Sequence, residues 1–366
     1  DSRGLDSFDL RFMGLIAVIL SVGVLSIYSV THSQDTAFPF YLKQLVWILL
    51  GTIAFLVMYL SDYHKIARLA YPTYAVILIM LAVVLVMGKS SRGAQRWIPI
   101  GPFAFQPSEF AKLVLVLVLA NYYSRVSRAG WLHRVVLPGL IVLPGLLLIL
   151  KQPDLGSGLS FLAVYAAMLL MVGVRSKTLG VILLLSVMLF PFVWEMVWAS
   201  LHDYQRERVM AFVDPEYDPG GKGYHALQSR IAIGSGELSG KGLYGGTQSK
   251  LKFLPEGHTD FVFAVYAEEW GFVGVLVLLA LFIALIWVSL EIAARAKDTL
   301  GALLAAGIVA MLCFCVVVNI GMTAGMFPIV GIPLPLVSYG GSATIMTMAS
   351  LGLLLNVKRR RLTLFY

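Results

Sequence analysis

Long apolar runs recur along the whole chain and predict its architecture. Ten of them approach or exceed the roughly 17–25 residues that a helix needs to cross a bilayer. The predicted helices lie near residues 10–30, 41–61, 71–88, 109–124, 134–150, 156–173, 178–198, 261–290, 300–324 and 340–357. The pattern therefore predicts an all-α polytopic membrane protein with about ten transmembrane helices, all in a single domain spanning 1–366.

Composition excludes an ordinary soluble domain, because 59% of the 366 residues are hydrophobic, 13% are charged and the mean hydropathy is +0.84. An even number of spans places both termini on one side of the membrane. That side carries most basic residues of the short loops, including the run Lys358–Arg361. The positive-inside rule then predicts cytoplasmic termini and explains the net charge of +8. The sequence has no basic stripe interleaved with aromatic residues, which argues against nucleic-acid binding.

The main interruption of the apolar pattern is residues 199–260, a predicted extracytoplasmic loop rich in Gly, Tyr and charge. A short helix over 203–213 and an amphipathic helix over 224–233 are predicted within it. The segment Gly240–Gly245 fits G-x-G-x-x-G, but no strand precedes it, which argues against a dinucleotide site. Walker, H-E-x-x-H and C-x-x-C motifs are absent from the sequence, which argues against ATP-driven transport and the common zinc chemistries.

Two arginines lie before the fourth predicted helix, and a glutamate and a lysine lie in its first turn. Arg92 and Arg96 precede it, and Arg96 beside a tryptophan indicates either an interfacial belt or a bidentate phosphate contact. Ser108 is a predicted N-cap. Glu109 either complements the helix dipole or forms, with Lys112 three residues later, a buried pair that lines a cavity.

Two helix breaks at the same predicted boundary carry further polar groups. Asp154, in the break 151–157, either caps the next helix or lies at a cavity, where irregular backbone is tolerated in membranes. The segment 333–342 is a turn rich in Pro and Gly that enters the last helix. Its minimum role is structural, and its Ser338 and Tyr339 are candidates to hydrogen-bond a sugar or a phosphate.

The densest ionisable cluster precedes and enters the eighth predicted helix. Thr259 and Asp260 are suited to cap that helix. Against capping alone, Glu256, His258 and Asp260 fall within five residues, and Glu268 lies roughly 12 Å further along the helix. This density of titratable groups at a membrane boundary indicates a functional site.

Carboxylates combined with Arg and Lys at a membrane surface suit a lipid substrate with an anionic head. An extracytoplasmic site has no ATP, so polymerisation there requires an already activated substrate such as a lipid-pyrophosphate-linked sugar. Glycosyl transfer then needs a base for the attacking hydroxyl, which an ionised aspartate supplies. It also needs positive charge for the departing pyrophosphate, from Arg and Lys or from a divalent cation.

Motifs that run in order along most of the chain identify a family resemblance. They are Gly93–Trp97, Phe105–Glu109, Gln152–Gly156, His202–Arg206, Gly223–His225, Gln228–Ser229, Ile231–Gly236, Gly245–Ser249, Phe253–Glu256, His258–Phe261 and Pro333–Gly341. With these motifs the chain resembles the SEDS family of shape, elongation, division and sporulation proteins, and looks most like its RodA branch.

The resemblance implies a peptidoglycan glycosyltransferase that polymerises lipid II outside the cytoplasmic membrane, together with a class B penicillin-binding protein as transpeptidase. It also implies that Asp260 is the key catalytic aspartate and that Glu109 is the carboxylate of the family's Pro-Ser-Glu motif. We expect Asp260 to deprotonate the acceptor's 4-hydroxyl, which attacks the donor's anomeric carbon with inversion as undecaprenyl pyrophosphate leaves. Glu109 either positions Asp260 or shares a divalent cation, Mg²⁺ or Mn²⁺, with it.

Substrate binding is predicted for residues that share a basic or polar side chain near this boundary: Arg92, Arg96, Lys112, Asp154, Arg206, Arg208, His258 and Ser338. A lipid II flippase is the leading alternative function, although a flippase needs polar access from both leaflets. A noncatalytic scaffold of the cell-wall synthesis complex is the second alternative.

Overall fold

The computed structural model describes residues 9–31, 39–91, 94–100, 103–126, 130–173, 180, 222–247, 254 and 257–361. The helices are α1 (Leu10–Thr31), α2 (Phe40–Leu60), α3 (Tyr63–Arg68), α4 (Ala70–Met87), α5 (Pro107–Arg125), α6 (Leu137–Lys151), α7 (Leu155–Met171), α8 (Lys222–Ser235), α9 (Val262–Ala294), α10 (Thr299–Thr323) and α11 (Gly341–Arg361). A π-helical turn, Leu132–Val136, leads into α6.

Nine of the ten predicted spans coincide with helices of the structure, and the seventh, 178–198, lies outside the described residues except for residue 180. Among the described helices, α1, α2, α9, α10 and the continuous stretch 132–151 are long and apolar enough to cross a membrane. Helices α4 and α7 are apolar but shorter. Helix α5 is less apolar because it is central: nearly all its side chains are buried against neighbouring helices, so few of them meet lipid.

Of the predicted extracytoplasmic loop, residues 222–247, 254 and 257–260 are described. The amphipathic helix predicted over 224–233 is confirmed as α8, whereas the one predicted over 203–213 lies outside the described residues. After α8, the glycine-rich segment 236–247 packs against the first part of α9.

Helix α9 is broken at Gly271, whose φ of 63° and ψ of −165° are not helical. The glycine-rich segment fills the break and pairs with backbone groups on both sides of it. The four bonds run from Lys241 N to Glu268 O (3.0 Å), Gly242 N to Glu269 O (2.9 Å), Phe272 N to Glu237 O (2.9 Å) and Val273 N to Leu238 O (3.1 Å). The glycines of the G-x-G-x-x-G pattern therefore serve helix packing, which agrees with rejecting a dinucleotide site.

Gly240 leaves no space for a side chain in this packing. Its φ is +77°, and a Cβ atom there would lie 2.2 Å from the carbonyl oxygen of Glu269. We expect Gly240→Ala to lower the free energy of unfolding by about 1–3 kcal/mol, because backbone must shift and the residue is strained. Thermal unfolding in detergent measures this. The matched control is Gly234→Ala in α8, where a Cβ meets nothing within 4 Å; equal destabilisation by both substitutions would contradict the packing role.

A small antiparallel sheet between α4 and α5 was not predicted. Its strands are β1 (Lys89–Ser91), β2 (Ala94–Ile100) and β3 (Phe103–Phe105), in the order β1-β2-β3. β2 pairs with β3 through the register Ile98↔Phe105. β1 and β3 have three residues each, too few for an alternating pattern, and the seven residues of β2 do not alternate strictly between apolar and polar. The sheet matters because β2 contacts α4 and α5 and places Arg96 beside the α6–α7 break.

Candidate active site

Asp154 begins α7 and organises the α6–α7 break. Its carboxylate accepts hydrogen bonds from Ser157 N (3.2 Å), Ser157 Oγ (2.9 Å) and Ser108 Oγ (3.1 Å). The capping interpretation of Asp154 is thereby confirmed. Arg96 Nη1 lies 3.6 Å from Asp154 Oδ1, and Arg96 Nε donates to the carbonyl of Gln152 at 3.2 Å. The guanidinium thus joins the sheet to the break, so a phosphate role for Arg96 remains a prediction.

Ser108 does not have its predicted role. The N-cap of α5 is Gln106, Pro107 occupies the first helical position, and Ser108 lies one residue inside the helix. Proline is favoured at the first position because its φ is preset and its missing N–H would have no helical partner. The predicted N-cap at Ser108 was therefore wrong, and the hydroxyl instead connects α5 to Asp154.

Glu109 and Lys112 form the buried pair that their spacing allowed. Lys112 Nζ lies 2.8 Å from Glu109 Oε1, and the two residues are 1% and 4% exposed. They line a small cavity together with Cys315, the loop residues 333–336 and 338, and the start of α11. The second oxygen, Glu109 Oε2, is buried and has no hydrogen-bond partner among the described residues. The cavity thus contains one buried cation and one carboxylate oxygen available for bonding.

Asp260 precedes α9 in a turn that packs on the loop 331–339. The N-cap of α9 is Phe261, so the alternative in which Thr259 or Asp260 merely caps the helix is wrong. Asp260 is half-buried, and its Oδ2 lies 3.4 Å from the position that a Cβ at Gly331 would occupy. Since Gly331 has a φ of +72°, glycine fits this backbone and leaves space beside the carboxylate.

Ser338 connects the Asp260 turn to the cavity. Its hydroxyl donates to the carbonyl of Thr259 (2.7 Å) and accepts from Leu334 N (2.8 Å), while the residue also lines the cavity of Glu109 and Lys112. The wall of that cavity is therefore also the support of the Asp260 turn. These bonds account for Ser338 within the protein, and its contact with substrate remains a prediction.

His258 packs against two aromatic rings. Its ring centroid lies 4.8 Å from that of Phe40 and 5.8 Å from that of Tyr339. This contact fixes the other end of the Asp260 turn against α2 and the Pro-rich loop. A substrate role for His258 remains a prediction.

Comparison with known proteins assigns this arrangement to a family. The family described as "Cell cycle protein", FtsW/RodA/SpoVE, matches residues 7–362. The chain belongs to the FtsW/RodA/SpoVE family. The predicted membership of the shape, elongation, division and sporulation proteins is thereby confirmed.

Other members of the FtsW/RodA/SpoVE family resemble the chain over most of its length. It is 46% identical over 288 residues to the peptidoglycan glycosyltransferase MrdB of Escherichia coli K12, which covers 79% of this chain and 77% of that protein. A solved structure described as showing the coordination of polymerisation and crosslinking by a peptidoglycan synthase complex contains a similar chain. That chain is 35% identical with a TM-score of 0.82, and the match covers 97% of this chain and 98% of that chain. RodA of Thermus thermophilus is 33% identical with a TM-score of 0.72 and the same coverage. These similarities confirm a multi-pass membrane fold.

Three predicted substrate residues, Arg92, Arg206 and Arg208, lie outside the described residues. Glu268, counted earlier in the ionisable cluster, has a structural explanation in this family member. Its Oε1 lies 2.7 Å from Lys241 Nζ and accepts from Thr247 N at 2.8 Å, so it fixes the glycine-rich segment.

A divalent cation shared by Asp260 and Glu109 remains a prediction. The described residues contain no group of three or more His, Cys, Asp or Glu side chains that could hold a metal ion. In addition, Glu109 is already paired with Lys112. We therefore assign no step of the reaction to a metal.

Sequence reasoning missed Asn319, which is fully buried in α10. Its Nδ2 donates to the carbonyl oxygens of Asp260 (3.0 Å) and Ile332 (2.7 Å). The available signal was an amide side chain inside an otherwise apolar helix, where polar groups are costly and often functional.

Proposed function

We propose that this peptidoglycan glycosyltransferase polymerises lipid II into glycan strands at the outer face of the cytoplasmic membrane, for cell elongation and rod shape. The observation that carries the proposal is the placement of Asp260 on a turn supported by the wall of the cavity that contains Lys112. A base and a buried cation at one wall are the two elements that glycosyl transfer from a lipid pyrophosphate requires. The activities named for the relatives support the same reaction.

In the proposed reaction, Asp260 acts as the general base. It accepts the proton of the acceptor sugar's 4-hydroxyl, and that oxygen bonds to the donor's anomeric carbon from the face opposite the leaving group. The bond from the anomeric carbon to the pyrophosphate oxygen breaks, and its electron pair leaves with undecaprenyl pyrophosphate. The carbon is inverted, and the proton on Asp260 is later released to solvent.

Positive charge for the leaving pyrophosphate is assigned to basic residues. Of the described residues, Lys112 is the principal candidate because it is buried at the cavity, where an electrostatic interaction is stronger than in water. Arg96 is the second. Arg92, Arg206 and Arg208 remain candidates from the sequence, and Asp154 and His258 are proposed as further substrate contacts.

The orientation and the partner belong to the same proposal. Helix α11 ends in four basic residues, Lys358–Arg361, which by the positive-inside rule favours a cytoplasmic C-terminus. The Asp260 turn contacts the loop that precedes α11, so it lies at the end of α11 opposite the basic residues. This placement favours an outward-facing site. The similarity to a structure from a peptidoglycan synthase complex supports a class B penicillin-binding protein as the partner.

Polymerisation in detergent separates this function from its rivals. Purified protein in micelles has no two leaflets, so a flippase gives no product there. We expect glycan strands from lipid II when the protein is combined with a penicillin-binding protein whose transpeptidase serine has been replaced. The partner alone is the control. Absence of polymer in micelles together with lipid II translocation in vesicles would favour the flippase. If the partner alone synthesised all of the polymer, the scaffold would be favoured.

A further inference from the structure

Three consecutive backbone carbonyls of the Asp260 turn are each bound by a different residue. The carbonyl of His258 accepts from Tyr339 N (2.9 Å), that of Thr259 from Ser338 Oγ (2.7 Å) and that of Asp260 from Asn319 Nδ2 (3.0 Å). The next carbonyl, of Phe261, accepts from Ala264 N within the start of α9. The turn therefore has fixed bonds along its whole length, which restricts where the Asp260 carboxylate can lie.

Asn319 differs from the other two donors because it acts on two segments at once. Its second N–H bonds to the carbonyl of Ile332, in the loop that begins at Gly331 and lies against the Asp260 carboxylate. One amide thus sets the distance between the turn that carries Asp260 and the loop that faces it. This side chain comes from α10, inside the helix bundle.

The energetics favour a specific role over packing. Asn319 is fully buried, and its Oδ1 has no hydrogen-bond partner among the described residues. Burying an amide with an unsatisfied oxygen costs free energy that a leucine of similar size avoids. The Asn319 side chain therefore lowers stability relative to leucine, and the feature that it adds is its pair of donated hydrogen bonds.

We propose that Asn319 is a positioning residue for Asp260, an inference that rests on the proposed function. By bonding to Asp260 and Ile332 together, it keeps the carboxylate at the distance from which the acceptor hydroxyl is deprotonated. A displacement of about 1 Å in such a group can lower a rate roughly 10²-fold. Asn319 does not itself contact the reacting atoms.

The chain offers a matched control in Asn356 of α11. This asparagine is also fully buried, its Oδ1 also has no hydrogen-bond partner among the described residues, and its Nδ2 also donates to two carbonyls, those of Met58 (2.6 Å) and Ser61. These lie at the end of α2 that adjoins the basic end of α11, away from Asp260. Asn319→Leu and Asn356→Leu therefore remove the same interactions at two places, and only the first affects the Asp260 turn.

The experiment measures lipid II polymerisation by each variant in complex with the inactivated transpeptidase partner. We expect Asn319→Leu to lower the turnover number about 10- to 100-fold with KM for lipid II changed less than about threefold. Asn356→Leu should retain the turnover number within about threefold, while both variants change the unfolding temperature similarly. If Asn319→Leu cannot be purified, Asn319→Gln carries the test, because it keeps the amide but moves it by one methylene.

A second readout separates positioning from stability. Asp260→Glu moves the carboxylate by one methylene, and we expect it to lower turnover about 100-fold in the parent protein but less than about 10-fold in the Asn319→Leu background. The positioning role would be overturned if Asp260→Glu lowered turnover by the same factor in both backgrounds. Equal turnover of Asn319→Leu and Asn356→Leu would also overturn it. Full activity of Asp260→Asn would instead overturn the assignment of Asp260 as the base, and absence of polymer from the parent complex would overturn the proposed function, so these failures are distinguishable.

Discussion

Asp260→Asn should lower the rate of glycan synthesis from lipid II by about 10²–10⁴-fold, the contribution of a general base. The amide has nearly the shape of the carboxylate but cannot accept the hydroxyl proton at neutral pH. The backbone bonds of the turn, including those from Ser338 and Asn319, do not involve the changed atoms. Lipid II binding and the unfolding temperature should therefore change little. Initial rates of polymer formation, with binding measured separately, check this result.

Asp298→Asn is the control for the same chemical change at the opposite side of the bundle. Asp298 caps α10 through Gly301 N (2.6 Å) and accepts from Tyr63 OH (2.8 Å). Its replacement should cost less than about 1 kcal/mol of stability, because asparagine caps a helix about as well as aspartate, and should not alter turnover more than about threefold. If Asp260→Asn kept a rate similar to that of Asp298→Asn, the base would have to be another residue.

The positions of the helices could be predicted because their apolar runs are long and the membrane imposes their length. The prediction was less successful for elements outside the long apolar runs. The strand β2 and the short helix α3 lie in connections where the polar pattern carries no clear period. Helix α3 is stabilised locally by Asp62, whose carboxylate accepts from His64 N at 2.9 Å. Such local caps are recognisable only once the helix itself is expected.

Within the site, the residue types were easier to predict than their contacts. Glu109 and Lys112 are three apart on one helix, so their pairing follows from helix geometry. The roles of Ser108 and Ser338 do not, because their partners, Asp154 and Thr259, come from other elements. Asn319 lies 59 residues along the chain from its bonding partner Asp260. Contacts of this kind depend on how α5, α9 and α10 pack, which periodicity does not specify.

Lys112→Met should destabilise the protein by about 3–5 kcal/mol, the cost of leaving a buried carboxylate without its partner. Lys112 Nζ lies 2.8 Å from Glu109 Oε1, and the described residues provide no other hydrogen bond to that carboxylate. Loss of the cation at the cavity should also lower turnover about 10²–10³-fold, by analogy with removal of a group that stabilises transition-state charge. Thermal unfolding in detergent and polymerisation rates measure the two effects.

The double variant Glu109→Gln/Lys112→Met distinguishes stability from function. Removing both charges eliminates the uncompensated carboxylate, so the unfolding temperature should return most of the way to that of the parent protein. Turnover should stay low, because the leaving pyrophosphate still lacks the buried cation. Recovery of turnover together with stability would show that Lys112 acts only through the fold. It would transfer the pyrophosphate role to the arginines, of which Arg96 is already bonded to the α6–α7 break.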